Sequence, residues 1–169
     1  YGLEWFKTEL NQRLGFDLEV AHEGVFSTTG DQFGWHQTAN GRWHLTLRVE
    51  YGRVKDSAEY QLKTALAQLA QYALDHDWKA FRLRLTANQN LVLSNIDEAD
   101  KVLVETLLAR FNYQADAKHL SGLRRNSIAC VSFNTCPQAM AEAERYLPTL
   151  LNKLEPILTQ YGLFQDEIK

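Results

Sequence analysis

Alternation of apolar and polar side chains is clearest in residues 43–50, which read WHLTLRVE. Every second side chain from Trp43 to Val49 is apolar, and the side chains between them are polar. A period of two with one polar face is typical of a β-strand whose sheet is buried on one side only. This segment therefore predicts a half-buried strand, and the elements around it can be placed by working outward.

The dipeptide 40–41, Asn-Gly, precedes this strand and predicts a two-residue type I′ hairpin turn. Pairing outward from such a turn sets His44 opposite Gln37 and His36 opposite Leu45. The two imidazoles are then expected on opposite faces of the sheet, which argues against a shared metal ion. The remaining histidines have no cysteine or carboxylate cluster at ligand spacing and are interpreted as surface or packing residues: His22, His76 and His119.

Neighbouring segments alternate between helical and strand periods. The clearest helix pattern lies in residues 58–75, where apolar side chains recur at three and four residues. After a first helix at 2–14, the predicted order is a strand at 43–50, a helix at 58–75, strands at 81–86 and 91–94, a helix capped by Asp97, a strand at 128–133 and a helix from Pro137. This order predicts an α+β fold of ferredoxin-like type, with helices on one face of an antiparallel sheet.

The composition excludes several classes of protein. The chain has 169 residues, 45% of them hydrophobic and 23% charged, with nine Gly and three Pro, which is typical of a folded domain. A net charge of −3 gives no electrostatic footprint for binding nucleic acid or a membrane surface. No apolar run approaches the roughly 20 residues of a membrane-spanning helix. The first residue is Tyr1, and we expect the chain to be a fragment of a longer protein.

A cationic shelf is one candidate site. Each of two predicted strands has a polar face, and the two faces would form one positive surface if the strands were neighbours. The simpler interpretation is a solvated sheet face, which every half-buried strand possesses. The side chains concerned are Arg82, Arg84 and Thr86 on one strand and His44, Thr46 and Arg48 on the other.

A polar break follows the Arg-bearing strand at residues 86–90, TANQN. It offers one hydroxyl and three amides, which can both donate and accept hydrogen bonds and would suit the rim of a polar ligand site. The same residue types are ordinary in turns, so the pattern alone does not separate the two interpretations.

The cysteine pair has the spacing C-x5-C, at Cys130 and Cys136. Two cysteines are too few for a secreted disulfide scaffold and fit a reducing compartment, so we expect a cytoplasmic protein. Cys136 precedes Pro137 at a predicted helix start, where free N–H groups would stabilise a thiolate or an anionic iron–sulfur cluster. Two buried free thiols are the alternative, because an iron–sulfur cluster generally needs four thiolates.

The stretch around these cysteines resembles a known motif. Residues 126–148, NSIACVSFNTCPQAMAEAERYLP, are similar to the first cluster-binding motif of sulfite reductase hemoproteins, within the siroheme-dependent nitrite and sulfite reductases. The ferredoxin-like half domain of that family is matched upstream by WHLTL at 43–47, by GR at 52–53, by LKT at 62–64 and by RLTANQNL at 84–91. The resemblance covers nearly the whole chain.

The resemblance implies the six-electron reduction of sulfite to sulfide at a siroheme coupled to a 4Fe-4S cluster. The cofactors carry the redox chemistry, and the protein binds and orients them. Two cluster ligands would lie in this chain, and other residues would lie near the siroheme or serve structure. By position, the cluster ligands are Cys130 and Cys136, the siroheme rim is formed by Gln89, Asn88 and Thr86, and weaker candidates are Arg84 and Arg124.

The resemblance also implies a division of the chain and a set of partners. We expect a helix and connector at 1–32, the half domain at 33–113, and the start of the siroheme and 4Fe-4S domain at 114–169. The family's second cysteine pair, C-x3-C, lies beyond the matched segment, so this piece alone is expected to bind neither cofactor tightly and to be inactive. The substrate would be sulfite, and the electron donor an NADPH-dependent flavoprotein or ferredoxin.

Two alternatives stay open at this point. A nitrite reductase of the same superfamily would use the same cofactors on a different substrate. A stand-alone ferredoxin-like binding module would carry the two thiols incidentally. The family's motif also commonly has Pro where this chain has Asn134. We further expect an exposed apolar stripe on the last helix, because its packing partner would lie elsewhere in the longer protein.

Overall fold

The computed structural model describes residues 2–20, 24 and 30–168 of the chain. The prediction for His22 and part of the predicted connector lie outside these residues. The helices are α1 (Leu3–Leu14), α2 (Leu62–Asp75), α3 (Lys101–Arg110), α4 (Gly122–Asn126) and α5 (Leu147–Gln160). The strands are β1 (Gly34–Gln37), β2 (Trp43–Leu47), β3 (Arg82–Leu85) and β4 (Leu91–Ile96).

The four strands form one antiparallel sheet in the order β1-β2-β4-β3. One face of this sheet is apolar and is covered by α2 and α3. The fully buried side chains of the strands and helices form one core, which includes Leu45, Leu47, Leu62, Leu69, Leu93, Ile96, Val104 and Leu108. The prediction of an α+β fold with helices on one face of an antiparallel sheet is confirmed.

The hairpin between β1 and β2 corrects one prediction. His36 pairs directly with His44, and Gln37 pairs with Trp43, so the two imidazoles lie on the same face of the sheet. The Gly41 N–H donates to the Thr38 carbonyl at 2.9 Å, and Gly41 has a φ of +79°. The connection is therefore a three-residue loop with a left-handed glycine, and the extra residue shifts the register by one.

Two further predictions near the cysteines are wrong. Residues 128–133 form no strand, and Pro137 lies in a turn, because the last helix begins at Leu147. Proline fits the first turn of a helix, and here Pro148 occupies that place. The segment from Ser127 to Tyr146 contains no regular element longer than the 3₁₀ turn at Ser132–Asn134.

Packing differs sharply between the terminal helices. Helix α1 buries none of its residues in the described part of the chain, and its side chains Leu3, Phe6 and Leu14 are exposed. On α5, Leu151 is fully buried beside Tyr51 and Leu123, whereas Leu154 of the same stripe keeps 36% of its surface exposed. The expectation of an exposed stripe on the last helix therefore holds for only part of that stripe. Among the described residues, no helix is both long and apolar enough to cross a membrane.

Candidate functional site

The loop at 86–90 is held by a residue distant in sequence. The Asp31 carboxylate accepts hydrogen bonds from Thr86 Oγ1 at 2.6 Å, from Asn88 Nδ2 at 3.2 Å and from Asn90 Nδ2 at 2.8 Å. Asn90 is buried, and its Oδ1 also accepts from the Val49 N–H at 3.0 Å. Thr86 and Asn88, two of the predicted rim residues, therefore have protein partners. Their contact with a siroheme stays a prediction.

Gln89, at the tip of this loop, points at the cysteine segment. Its Nε2 donates to the Ala129 carbonyl at 2.8 Å, and its Oε1 accepts from the Ala129 N–H at 3.0 Å. The backbone of Gln89 is left-handed, with a φ of +64°. One amide side chain thus satisfies both backbone groups of the residue that precedes Cys130.

The two thiols are free and differ in exposure. Cys130 is exposed and Cys136 is partly buried. The Cys130 carbonyl accepts from the Glu144 N–H at 3.2 Å, and the Cys136 N–H donates to the Ser132 carbonyl at 2.8 Å. Because no helix starts at Cys136, the predicted stabilisation of a thiolate by a helix dipole is wrong. The cysteines are presented by an irregular loop instead.

The buried carboxylate of Glu144 links the cysteine loop to Arg53, a partly buried residue of the half domain. Glu144 is buried, and it forms a two-pronged ion pair with Arg53, in which Nη2 donates to Oε2 at 2.5 Å and Nε donates to Oε1. The hydrogen bond to Glu144 raises the pKa of the Arg53 guanidinium. Because the planar guanidinium bonds the carboxylate at two points, it fixes the relative orientation of the two side chains as well as the distance between them.

Arg124 serves a second junction, between α4 and α5. Its guanidinium donates to Glu155 Oε1 at 3.0 Å and Oε2 at 2.5 Å, and it also reaches Asn152 Oδ1 at 2.8 Å. The hydrogen bonds to Arg124 lower the pKa of the Glu155 carboxyl, and those to Glu155 raise the pKa of Arg124. Ser121 caps α4 by accepting from the Arg124 N–H at 3.0 Å. Of the two roles predicted for Arg124, the structural one is therefore seen here.

The predicted cationic shelf does not form as a continuous surface. Strand β4 lies between β2 and β3, so Val92 separates Thr46 from Arg84. Arg84 is exposed on β3 and makes no ion pair within residues 2–20, 24 and 30–168. It is consequently a cation available to a partner or ligand, whereas Arg48 is engaged with the Arg124 carbonyl at 3.1 Å.

Two buried polar groups lie behind the cysteine loop. The Tyr51 hydroxyl and Arg48 Nη2 are both buried, and the Arg48 guanidinium lies beside the phenol. Burial raises the pKa of the Tyr51 phenol above its ordinary value. Tyr51 packs with Leu123 and Leu151, so it belongs to the small core beneath α4 and α5.

The donor set can be compared with what an iron–sulfur cluster requires. Thiolates are the ligands of such clusters, and both thiols here are free. The described residues contain no group of three or more His, Cys, Asp or Glu that could hold a metal ion. The pair Cys130 and Cys136 therefore fits as part of a cluster site whose other ligands would have to come from elsewhere.

Three residues at this site carry no local sequence signal. Asp31 lies in the predicted connector, and Arg53 and Glu144 lie inside the motifs that carry the resemblance. Their spacing of 91 residues shows why, since no local pattern links a cation to a carboxylate so far away. Burial of Glu144 is the signal that the structure adds, because a buried carboxylate requires a partner.

Comparison with known proteins gives consistent matches. Residues 36–111 match the family model described as the nitrite/sulfite reductase ferredoxin-like half domain. The chain is 45% identical over 167 residues to the sulfite reductase (NADPH) hemoprotein beta-component of Staphylococcus carnosus, covering 99% of this chain and 28% of that protein. The protein of the same name from Anoxybacillus flavithermus is 47% identical over the same shares.

One solved structure has the same fold. The Mycobacterium tuberculosis NirA protein matches with a TM-score of 0.60 and 23% identity, over 94% of this chain and 27% of that one. The chain thus spans little more than a quarter of the length of the proteins it matches. The predicted domain limits at 1–32, 33–113 and 114–169 stay predictions. Residues 36–111 form a ferredoxin-like half domain of the nitrite/sulfite reductase family, and the chain as a whole is similar to sulfite reductase hemoproteins.

Proposed function

We propose that this chain is part of an assimilatory sulfite reductase hemoprotein that reduces sulfite to sulfide. The observation that carries the proposal is the identity of about 45% over 99% of the chain to proteins named as sulfite reductase hemoproteins. The match runs through the cysteine segment as well as the half domain, so both parts of the chain support the proposal.

We assign Cys130 and Cys136 as two of the four ligands of a 4Fe-4S cluster. The assignment is supported by their free thiols and by the resemblance of residues 126–148 to a cluster-binding motif. When bound, the cluster and siroheme would supply the electron transfer and the cleavage of sulfur–oxygen bonds. The remaining two ligands would come from the part of the longer protein that this chain does not include.

The loop at 86–90 and the exposed Arg84 are proposed to face the siroheme side of the assembled protein. Siroheme carries carboxylates, and an exposed guanidinium without an ion-pair partner among the described residues suits a carboxylate. Thr86, Asn88 and Gln89 would act here mainly by fixing the loop, since each has a protein partner. Arg124, held by Glu155, would support the fold near the site.

The electron donor is proposed to be an NADPH-linked flavoprotein. NADPH stands in the names of the relatives that match at 45% identity or more. Ferredoxin is the other donor type used in this family, and a direct assay of the intact protein with each donor separates the two. We also propose that the protein works in the cytoplasm, where its thiols stay reduced.

The test is reconstitution of the intact protein with siroheme, iron and sulfide. We expect the wild type to have a higher kcat/KM for sulfite than for nitrite. Cys130→Ser and Cys136→Ser should each lose iron and activity, because each removes one thiolate ligand. Met140→Leu is the matched control in the same loop, since Met140 is 94% exposed and the swap conserves volume.

Three results would contradict the proposal. A higher kcat/KM for nitrite than for sulfite would favour the alternative reductase of the same family. Undiminished iron in both cysteine variants would remove the ligand assignment. A wild-type protein that takes up neither iron nor siroheme would favour a binding module with incidental thiols.

A further inference from the structure

The backbone on either side of Cys130 is linked to side chains of the half domain, directly on one side and through Glu144 on the other. On one side, the Gln89 amide donates to and accepts from Ala129, at 2.8 and 3.0 Å. On the other side, the Cys130 carbonyl accepts from the N–H of Glu144, whose carboxylate is gripped by Arg53. Gln89 is 40 residues from Ala129, and Arg53 is 91 residues from Glu144, so both anchors depend on contacts between distant residues.

Gln89 is itself held in place. Its neighbours Thr86, Asn88 and Asn90 are tied to Asp31, and its own backbone adopts a left-handed φ of +64°. Gly52 lies directly against it: a Cβ at position 52 would be 3.1 Å from the Gln89 Cβ. A long side chain held at its base loses less entropy when its amide binds, which makes it an effective anchor.

Cys136 has no comparable anchors among the described residues. Its N–H donates to the Ser132 carbonyl, and its own carbonyl accepts from the Ala139 N–H at 3.2 Å. Both partners belong to the same irregular loop. The two cysteines therefore differ, since the residue before Cys130 is bonded by Gln89 of the half domain, whereas both partners of Cys136 lie in its own loop.

We propose that Gln89 is a positioning residue for the Cys130 thiol, with the Arg53–Glu144 pair as its second anchor. The inference rests on the proposed function, because it gives Cys130 a ligand to hold. Metal ligands carried by loops depend on outer hydrogen bonds for their orientation, and loss of such a bond typically costs about 10- to 100-fold in metal affinity. Here the bond acts on the backbone next to the ligand instead of on the ligand itself.

Two variants separate the two hydrogen bonds. Gln89→Leu removes both, and Gln89→Glu keeps an acceptor for the Ala129 N–H but sets a carboxylate oxygen against the Ala129 carbonyl. Gln71→Leu is the matched control, because Gln71 lies on the exposed face of α2 and bonds only Asp75 nearby. Circular dichroism and the melting temperature of each variant report whether the fold is retained.

The first measurement is hydrogen exchange in the intact apo-protein. We expect exchange at the Ala129 amide to rise about fivefold in Gln89→Leu, which corresponds to the loss of one ordinary hydrogen bond. Exchange within the sheet should stay as in the wild type. An unchanged rate at Ala129 in a folded Gln89→Leu protein would overturn the proposal at its first step.

The second measurement is the stability of the cluster in the reconstituted intact protein. We expect iron to be lost to a chelator about 10-fold faster in Gln89→Leu, with Gln89→Glu in between and Gln71→Leu unchanged. The electron paramagnetic resonance signal of the reduced cluster should also shift in the Gln89 variants. A variant with faster exchange at Ala129 but wild-type iron loss and signal would overturn the positioning role and leave the proposed function intact. Failure of the wild type to bind iron would instead overturn the proposed function.

Discussion

The half domain at 36–111 and the cysteine segment at 127–146 are held in different ways. The half domain has a sheet with its own hydrogen-bond ladder and a core that includes Leu45, Leu69 and Leu93, none of which has exposed surface. The cysteine segment has no strand and no α-helix, and its large apolar side chains are mostly exposed. It is shaped by a few long-range polar contacts with the half domain.

This contrast has a physical cause. Burial of apolar surface stabilises a structure without requiring a particular direction, so a sheet packed on two helices is stable as a whole. The cysteine segment buries little apolar surface and is oriented instead by hydrogen bonds and an ion pair, which are directional. Stability therefore resides in one region and placement of the thiols in the other.

The largest expected effect comes from the core. Leu93→Ala leaves a cavity between the sheet and its helices and should lower the free energy of unfolding by about 2–5 kcal/mol. Met140→Ala, in the cysteine segment, should change it by no more than about 0.5 kcal/mol. Urea denaturation measures both. Similar losses in the free energy of unfolding for the two variants would contradict this contrast, because they would show that both regions depend on burial.

The junction between the regions should respond next. Gly52→Ala forces a residue with a side chain into a φ of +74° and crowds Gln89, with the backbone strain alone costing about 1–2 kcal/mol. Gly41→Ala is the matched control, since it has a similar φ of +79° and free space around the added Cβ. Both should lose stability in urea, but only Gly52→Ala should speed amide exchange at Ala129. Equal amide exchange at Ala129 in the two variants would show that crowding of Gln89 by a side chain at position 52 does not affect the cysteine loop.

The smallest expected effect is on the pH dependence of the free energy of unfolding. The pKa of Glu155 is lowered in the folded state by Arg124, so the pair adds stability above the unfolded value of 4.5 and loses it as the pH falls through the folded pKa. The gain should be at most about 1 kcal/mol, because solvent screens a pair that is partly exposed. Urea unfolding of Glu155→Gln should differ from wild type at pH 7 and converge with it at lower pH.

Glu142→Gln provides the comparison in the cysteine segment. Arg145 lowers the pKa of Glu142 by a hydrogen bond, but this pair is exposed and lies within four residues of sequence. We expect its effect on unfolding to be smaller than that of Glu155→Gln at pH 7. A larger effect would show that local pairs, rather than the long-range ones, hold the cysteine segment.

Several features could be predicted because they are periodic over a few residues. The strand at 43–47 and the helix at 62–75 each carry a stripe of apolar side chains, and a stripe specifies which face is buried whatever lies against it. The hairpin register could not be predicted, since Asn40-Gly41 is compatible with loops of two or three residues. The helix predicted from Pro137 begins only at Leu147, because proline suits turns as well as helix starts and Pro148 occupies the first turn instead.

By itself, the sequence determined the half domain's sheet and helices and the presence of a C-x5-C motif of cluster-binding type. Only the tertiary structure decided that β4 separates β2 from β3, that Asp31 ties down the loop at 86–90, and that Gln89 and Glu144 hold the backbone beside Cys130. The periodicity of apolar residues within one helix or strand indicates which of its faces is buried. A hydrogen bond between distant residues, in contrast, forms only once packing has brought them together.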